Sequence, residues 1–367
     1  MALFFYVILL KLLLLSWKIT GVSATSTPFK DLIQDGFLSL PRVLQRAGLD
    51  PKEVYSLVKR VVDEEIESCS LCNESNSLDT ENKCFGCDST LFTTKKPTSF
   101  IRARRLRGLD KVIRSQKLGK IVAKAMNATR LRLYQASAFI KRGGDGPSVF
   151  HQDSSAAPFD SDKIATLWIA LSDIPSNCGL LKFVKGSHLP NVKGSARDMR
   201  PISSRLLSAN FNVSDFDVAA MTNCEIIYPR KEGMAAGSAT LHLGWTIHGA
   251  DSNDCVQERA GLAITFFVEG ARIHKDLLRV EDEFGRDDTG RGSQREEGDD
   301  RAVKLNLPDG RSTLFVRLLS DDAVTWMAWL KKKPTSALIP GSIMIDDTLT
   351  PLVYEAKQRT SKDNHEL

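Results

Sequence analysis

The sequence predicts a mainly β fold, an antiparallel barrel or jelly roll with helices flanking it. Three observations carry that expectation. From Leu131 onward short β-prone runs recur: LRLYQASAFI, KIATLWIALSDI, LLKFV, SATLHL and GLAITFFV. Turn-rich segments such as KRGGDGPS and GADSNDC separate them. Helical periodicity is concentrated before this region. Many short strands punctuated by Gly- and Asp-rich turns suit antiparallel barrels and sandwiches, where hairpins connect neighbours.

The elements follow in order. After a helix-like start, Asp35-Gly36 leads into a short apolar run, Phe37–Leu40. DPKEVYSLVKRVVDEEIE (Asp50–Glu67) predicts a strong helix, with Val54, Leu57, Val58, Val61, Val62 and Ile66 on one face. Asp50 can cap it, and Pro51 fits the first turn. A polar, loop-like insert follows, Cys69–Cys87. GKIVAKAMNA (Gly119–Ala128) predicts a second helix. After the β-rich region, Glu281–Arg301 is charged and poor in apolar residues, which predicts a disordered excursion. DDAVTWMAWLKK then reads as helical. The expected organisation is a leader over 1–24, a helical region over 25–130, a β core over 131–355 and a tail over 356–367.

With 367 residues, 42% hydrophobic and 26% charged, the chain is ordinary globular material. The net charge of +5 is small for this length and excludes no fold, but it gives no reason to expect nucleic acid as a partner. RARRLR (Arg102–Arg107) is the densest basic cluster and reads as a solvated helix face.

The ends suggest an address. Ala2–Trp17 is apolar except for Lys11, shorter than the roughly 20 residues a membrane span needs. Val22-Ser23-Ala24 resembles a cleavage site, so a signal peptide is the reading. A retained signal anchor is the alternative, and only then is a membrane a partner. The final Asn364-His365-Glu366-Leu367 resembles a luminal retention signal. Sequons start at Asn73, Asn127 and Asn212. The expectation is the secretory pathway, in the endoplasmic reticulum lumen.

Seven cysteines are present. Cys69, Cys72, Cys84 and Cys87 form two Cys-x-x-Cys pairs, which suit structural zinc or, in an oxidising lumen, disulfides. Both remain open. Cys178, Cys224 and Cys255 stand apart and are read as free.

The chemistry lies in SVFHQDSSAAPF. Residues i and i+2 of a strand share a face, so His151 and Asp153 can aim an imidazole and a carboxylate at one point. His248, near the end of another β-prone run, is the third candidate. Two histidines and one carboxylate leave open positions on an octahedral ion and suit Fe(II) that must bind O₂. Arg259 lies eleven residues after His248 across a turn-like segment, so it is expected on the neighbouring strand. Its fork can take a carboxylate with two bonds. His242, six before His248, is set aside because nothing demands a fourth ligand. His188 reads as a turn or packing residue, and His274 as exposed.

Together these motifs resemble the phytanoyl-CoA dioxygenase family of Fe(II)/2-oxoglutarate-dependent oxygenases. DGFLSL, FHQDSS, LWIALSDIPSNCGLLKFVKGSH, GSATLHLGWTIHGA, RAGLAITFF and the C-terminal stretch ending TPLVYE carry the resemblance. It implies a double-stranded β-helix, the cupin-like jelly roll. It also implies that His151, Asp153 and His248 bind iron and that Arg259 holds 2-oxoglutarate. Gln152, Trp168 and Lys141 match positions lining the cosubstrate pocket. Ala250 stands where the family often has a hydroxyl residue, with Thr246 as the candidate replacement. Lys185 stands where relatives usually have proline.

The implied reaction is hydroxylation of a C–H bond in a small molecule or lipid, with O₂ consumed and succinate and CO₂ released. The carboxylate of Asp153 favours hydroxylation over halogenation. Two other classes remain: a luminal cupin-like protein that binds metal or ligand without turnover, and an interaction module organised by the four-cysteine insert.

Overall fold

Period-2 alternation along the core strands gives each a helix-facing apolar side and an inward side. In the computed structural model the described residues are 28–74, 99–102, 109–157, 159–160, 162–189, 214–273, 304–306, 312–314, 343 and 350–356. The larger sheet joins seven strands. In spatial order these are β1 (Phe37–Leu40), β11 (Ala239–Leu243), β6 (Ile164–Ala170), β13 (Arg259–Val268), β3 (Arg130–Lys141) and β17 (Leu352–Glu355), with β2 (Ser99–Arg102) also on β3. The smaller sheet has the order β4 (Ser148–His151), β12 (His248–Ala250), β8 (Leu181–Val184) and β9 (Ile226–Ile227).

Along β13, Ala260, Leu262, Ile264 and Phe266 point outward. They pack with Leu167 and Ile169 of β6, Leu241 of β11 and the helices Pro51–Glu74 and Gln116–Ala125 in one apolar core. The helices contribute Val54, Val58, Val61 and Val62 from one, and Leu118 and Val122 from the other. The intervening residues of the same strands face the smaller sheet. There Phe37 of β1 stacks on Phe183 of β8 at 4.8 Å, closing one sheet over the other. A bulge in β3 at Tyr134 shifts its register on β13 and reverses the parity, so Leu133 and Ala136 both face the helices. Two antiparallel sheets packed face to face, with helices outside the larger one, make the mainly β jelly roll that the sequence predicts.

Several elements differ from expectation. The first long helix runs Pro51–Glu74, through Cys69 and Cys72, because no Gly or Pro follows Pro51 to stop it. The backbone at those two cysteines is therefore helical rather than loop-like. Asp50 Oδ1 accepts from the Lys52 amide at 2.9 Å, as a cap does. The second helix spans Gln116–Ala125, starting earlier than expected because Ser115 caps it through the Leu118 amide. Asn127 takes a left-handed conformation just past its end. Arg102 ends strand β2 instead of opening a helix.

Cys178 and Cys255 are not free: they form a disulfide across a separation of 77 residues, while Cys224 is free. The reason is topological. The turn after β7 (Ile174–Pro175) meets the loop before β13, where Cys178 and Asn253 form a bridge.

No helix among the described residues is long and apolar enough to cross a membrane. The N-terminal leader, Cys84, Cys87, the sequon at Asn212, His274, the 281–301 tract, DDAVTWMAWLKK and the C-terminal tail lie outside the described residues.

Candidate active site

The two sheets bring His151, Asp153 and His248 together. His151 ends β4 and His248 begins β12, and the two are direct partners across this antiparallel pair. Their rings lie 4.2 Å apart. Asp153 is not on the strand. It opens a short 3₁₀ turn, Asp153–Ala156, directly after β4. The turn swings its carboxylate back, so Oδ1 lies 3.6 Å from His151 Nε2 and 3.7 Å from His248 Nε2. One ligand atom from each of the three falls within 4.8 Å of the others. Ligand atoms about 2.1 Å from an octahedral ion stand about 3 Å apart, so the three side chains would draw closer together to seat a metal here.

The surroundings prepare these groups as ligands. His248 Nδ1 donates to the Thr246 carbonyl at 3.0 Å, which leaves Nε2 free to coordinate. Burial, reinforced by His151 and His242, pushes the His248 pKa well below the ordinary histidine value, so its neutral form prevails at neutral pH. Burial works the other way on Asp153 and favours its protonated form. The neighbouring His248, His242 and His151 outweigh it and hold the carboxyl below the usual carboxylate range. Phe183 lies beneath, its ring 5.8 Å from that of His248 and 5.2 Å from that of His242.

Arg259 is the first residue of β13, in the larger sheet. His248 lies in the smaller one, so the arginine faces the histidines across the barrel and does not sit on a neighbouring strand. It is 2% exposed, and its Nε and Nη2 have no hydrogen-bond partner among the described residues. Burial lowers its pKa to about 9. Its neighbour Glu258 does not neutralise it. Tyr55 donates to Glu258, and Lys59 lies 3.5 Å from the same carboxylate, so the long helix engages this acid on the outer side. Arg259 lies instead over the Trp168 ring, 4.3 Å from the centroid.

Lys141 is the direct partner of Arg259 on β3. It is buried, and its Nζ donates to the Asp251 carbonyl at 2.8 Å. Burial, then the Arg259 charge, lowers its pKa to about 7. Gln152 is buried beside the triad, and its amide donates to the Trp245 carbonyl at 2.7 Å, tying the 3₁₀ turn to the turn between β11 and β12. Ala250 is buried in β12. The Thr246 hydroxyl does not stand in for a residue at that position: it donates to the Gly36 carbonyl and anchors the entry to β1. Lys185 uses its amide to bond the Glu225 carbonyl beside β9, a bond a proline could not make. His188 bonds the Ile33 carbonyl, as befits a packing residue.

One residue set aside in the sequence sits at the centre. His242 Nε2 lies 3.1 Å from Asp153 Oδ2, and its ring is 4.2 Å from that of His248. Its spacing from His248 gives no reason to expect a fourth ligand, and no sequence signal marks it as a partner of the carboxylate.

The family profile of phytanoyl-CoA dioxygenase (PhyH) matches residues 34–261, more than half the chain, from the start of the fold through the triad to Arg259. The chain belongs to the PhyH family. This PhyH protein is accordingly of the oxygenase class. No curated protein matches it. Among solved structures it is similar to the non-heme alpha ketoglutarate dependent carbocyclase SnoK from nogalamycin biosynthesis, at 19% identity, covering 68% of this chain and 87% of that one, with a TM-score of 0.48. EctD from S. alaskensis, with 2-oxoglutarate and 5-hydroxyectoine, matches at 11% identity over 70% of this chain and 80% of that one, TM-score 0.46. The epimerase SnoN in complex with Fe3+, alpha ketoglutarate and nogalamycin RO matches at 17% identity over 66% and 83%, TM-score 0.42.

Proposed function

We propose that this PhyH-family protein is an Fe(II)- and 2-oxoglutarate-dependent dioxygenase that hydroxylates a C–H bond of a small molecule or lipid. The observation that carries the reading is a buried arginine fork, with no acid paired to it among the described residues, inside the same barrel as a His–Asp–His cluster. An unmatched buried guanidinium is costly unless an anion completes it. The dicarboxylate cosubstrate is such an anion.

In this reading His151, Asp153 and His248 hold the iron. Iron, 2-oxoglutarate and O₂ supply the oxidant, with succinate and CO₂ as the other products. Arg259 takes one carboxylate of the cosubstrate, with Lys141 beside it as a second cation. Trp168 fixes the guanidinium plane. Phe183, stacked on Phe37, forms an apolar floor beneath the His248 ring.

The setting of this reaction is the lumen of the secretory pathway. The Cys178–Cys255 disulfide supports it, because oxidising compartments keep such bonds. The sequon asparagine Asn127 is exposed in a surface turn, where a glycan could be attached.

The experiment is succinate release from 2-oxoglutarate by the purified protein with Fe(II), against a panel of small-molecule and lipid substrates. Turnover that the Asp153→Ala variant lacks is expected. Succinate at the level of that variant throughout the panel would sink the enzyme reading.

A further inference from the structure

Asp153 presents two different faces. Oδ1 looks toward His151 and His248 at 3.6 and 3.7 Å. Oδ2 instead meets His242 Nε2 at 3.1 Å and the Thr166 hydroxyl at 2.5 Å. Thr166 in turn lies 3.0 Å from the hydroxyl of Thr265.

The three partners are not scattered. His242 on β11 is the direct partner of Thr166 on β6, and Thr166 is the direct partner of Thr265 on β13. They form one lateral row across three adjacent strands on the inner face of the larger sheet. All three are buried, His242 to 1% exposure. An apolar row would suit the interior of a barrel better, because each buried polar group must find a partner. Here the row has one outlet, Asp153 Oδ2.

Donor and acceptor chemistry sets the direction. An ionised carboxylate only accepts, so His242 carries its proton on Nε2 and donates. Thr166 also donates to Oδ2, which leaves its oxygen to accept from Thr265. Among the described residues His242 Nδ1 has no partner competing for that proton. Every hydrogen bond in the row therefore runs toward the same oxygen.

We propose that His242, with Thr166 and Thr265 behind it, is a positioning residue that holds Asp153 as a one-oxygen metal ligand. The inference rests on the metal-centre reading above. With Oδ2 held by two donors, only Oδ1 is offered to the ion. Were Asp153 to rotate and bind through both oxygens, it would fill a position that the cosubstrate or O₂ needs. His242 is not a fourth ligand: its Nε2 meets the second carboxylate oxygen, Oδ2, and the convergent ligand atoms are those of His151, Asp153 and His248.

The test uses Co(II) as an oxygen-stable probe, titrated into the full chain without 2-oxoglutarate and followed by its d–d absorption. This reads affinity and coordination number independently of turnover. Loss of an outer partner of a ligand weakens metal binding by about 10–100-fold, and that loss is expected for His242→Leu and for Thr166→Val. The absorption should shift toward a higher coordination number as Asp153 becomes free to chelate. His242→Gln, which keeps an N–H donor, should recover most of the affinity and the parent spectrum.

Thr166→Val removes one hydroxyl at nearly constant volume, so it gives the answer if His242→Leu does not fold. Folded variants that bind Co(II) as the parent does, with an unchanged spectrum, overturn the proposal and leave the metal centre standing. A His242→Leu loss that His242→Gln does not recover, with Thr166→Val silent, overturns it in favour of direct ligation or packing. A parent protein that takes no Co(II) overturns the metal-centre reading itself.

Discussion

The Arg259 guanidinium and the Trp168 ring are stacked on the inner face of the larger sheet, 4.3 Å from carbon to centroid. Gly261 makes this possible. It lies two residues along the same strand, and a Cβ there would come 2.1 Å from Trp168 Cζ2. The indole occupies the space that any side chain at this position would fill. The arginine is thus fixed by an aromatic plane rather than by an acid, and both nitrogens on its open side stay available for a carboxylate.

Arg259→Lys should therefore weaken 2-oxoglutarate binding by about 10–100-fold, because an ammonium keeps the charge but loses the fork and the stacking. Gly261→Ala should do the same indirectly, by displacing the indole. Neither change touches the triad, so Co(II) affinity should stay at the parent level in both. Calorimetric titration with 2-oxoglutarate and with Co(II) separates the two effects. A parent-like cosubstrate affinity in Arg259→Lys would remove the arginine from its assigned role.

The Lys141 amine sets a pH dependence. Burial and the facing Arg259 lower its pKa to about 7, against the smaller opposing influence of Asp145 and Asp251, with Lys182 adding to the lowering. A bound dicarboxylate favours the ammonium form, so binding above pH 7 must take up a proton. Cosubstrate affinity should accordingly fall as pH rises from 7 towards 9, with proton uptake visible as a buffer-dependent heat of binding. Lys141→Met should flatten this slope. For stability the sign is opposite. The unfolded chain keeps the lysine proton up to its ordinary pKa of 10.5 while the empty folded protein has released it, so stability rises with pH between these values. Urea melts of the cosubstrate-free protein at pH 6 and pH 9 report that difference.

The disulfide holds the loop that delivers Arg259. Cys255 lies in the segment between β12 and β13, and Cys178 in the turn facing it. Closing a loop of this length contributes at most about 4.5 kcal/mol through the unfolded chain. Cys255→Ser should lower stability by several kcal/mol on that basis and raise the KM for 2-oxoglutarate more than it lowers kcat. Equal thermal stability with and without reductant would show that the bond contributes nothing to the native fold.

The legible and illegible parts of this molecule differ in range. Ala260, Leu262, Ile264 and Phe266 announce a strand with one apolar face, and the structure puts that face on the helices. His151, Asp153 and His248 are recognisable because their spacing and flanks form local patterns. His242 is not. Even spacing suggests that it shares a face with His248, yet the chain turns between them and places them on opposite sheets. They meet because the sheets pack, not because of strand parity. The His242–Thr166–Thr265 row exists only once register is known, and a one-residue slip would send all three outward. Cys178 and Cys255 likewise find each other only through the packing of two loops.

The last dependence is steric. Gly244 follows β11, and a Cβ there would come 2.0 Å from Ser154 Oγ and 3.2 Å from Ile164. Ser154 stands next to Asp153 in the 3₁₀ turn, and its amide donates to the Gly244 carbonyl at 2.8 Å. Overpacking a site like this costs about 1–3 kcal/mol, and the turn, having fewer contacts than the sheet, is what gives way. Gly244→Ala should therefore move Asp153 and weaken Co(II) binding while leaving the sheet intact. The Ser154 hydroxyl has no hydrogen-bond partner among the described residues, so removing it is cheap. Combining Gly244→Ala with Ser154→Gly restores the room and should restore Co(II) affinity. If the double variant binds no better than Gly244→Ala alone, the clash with Ser154 is not what couples this glycine to the metal centre.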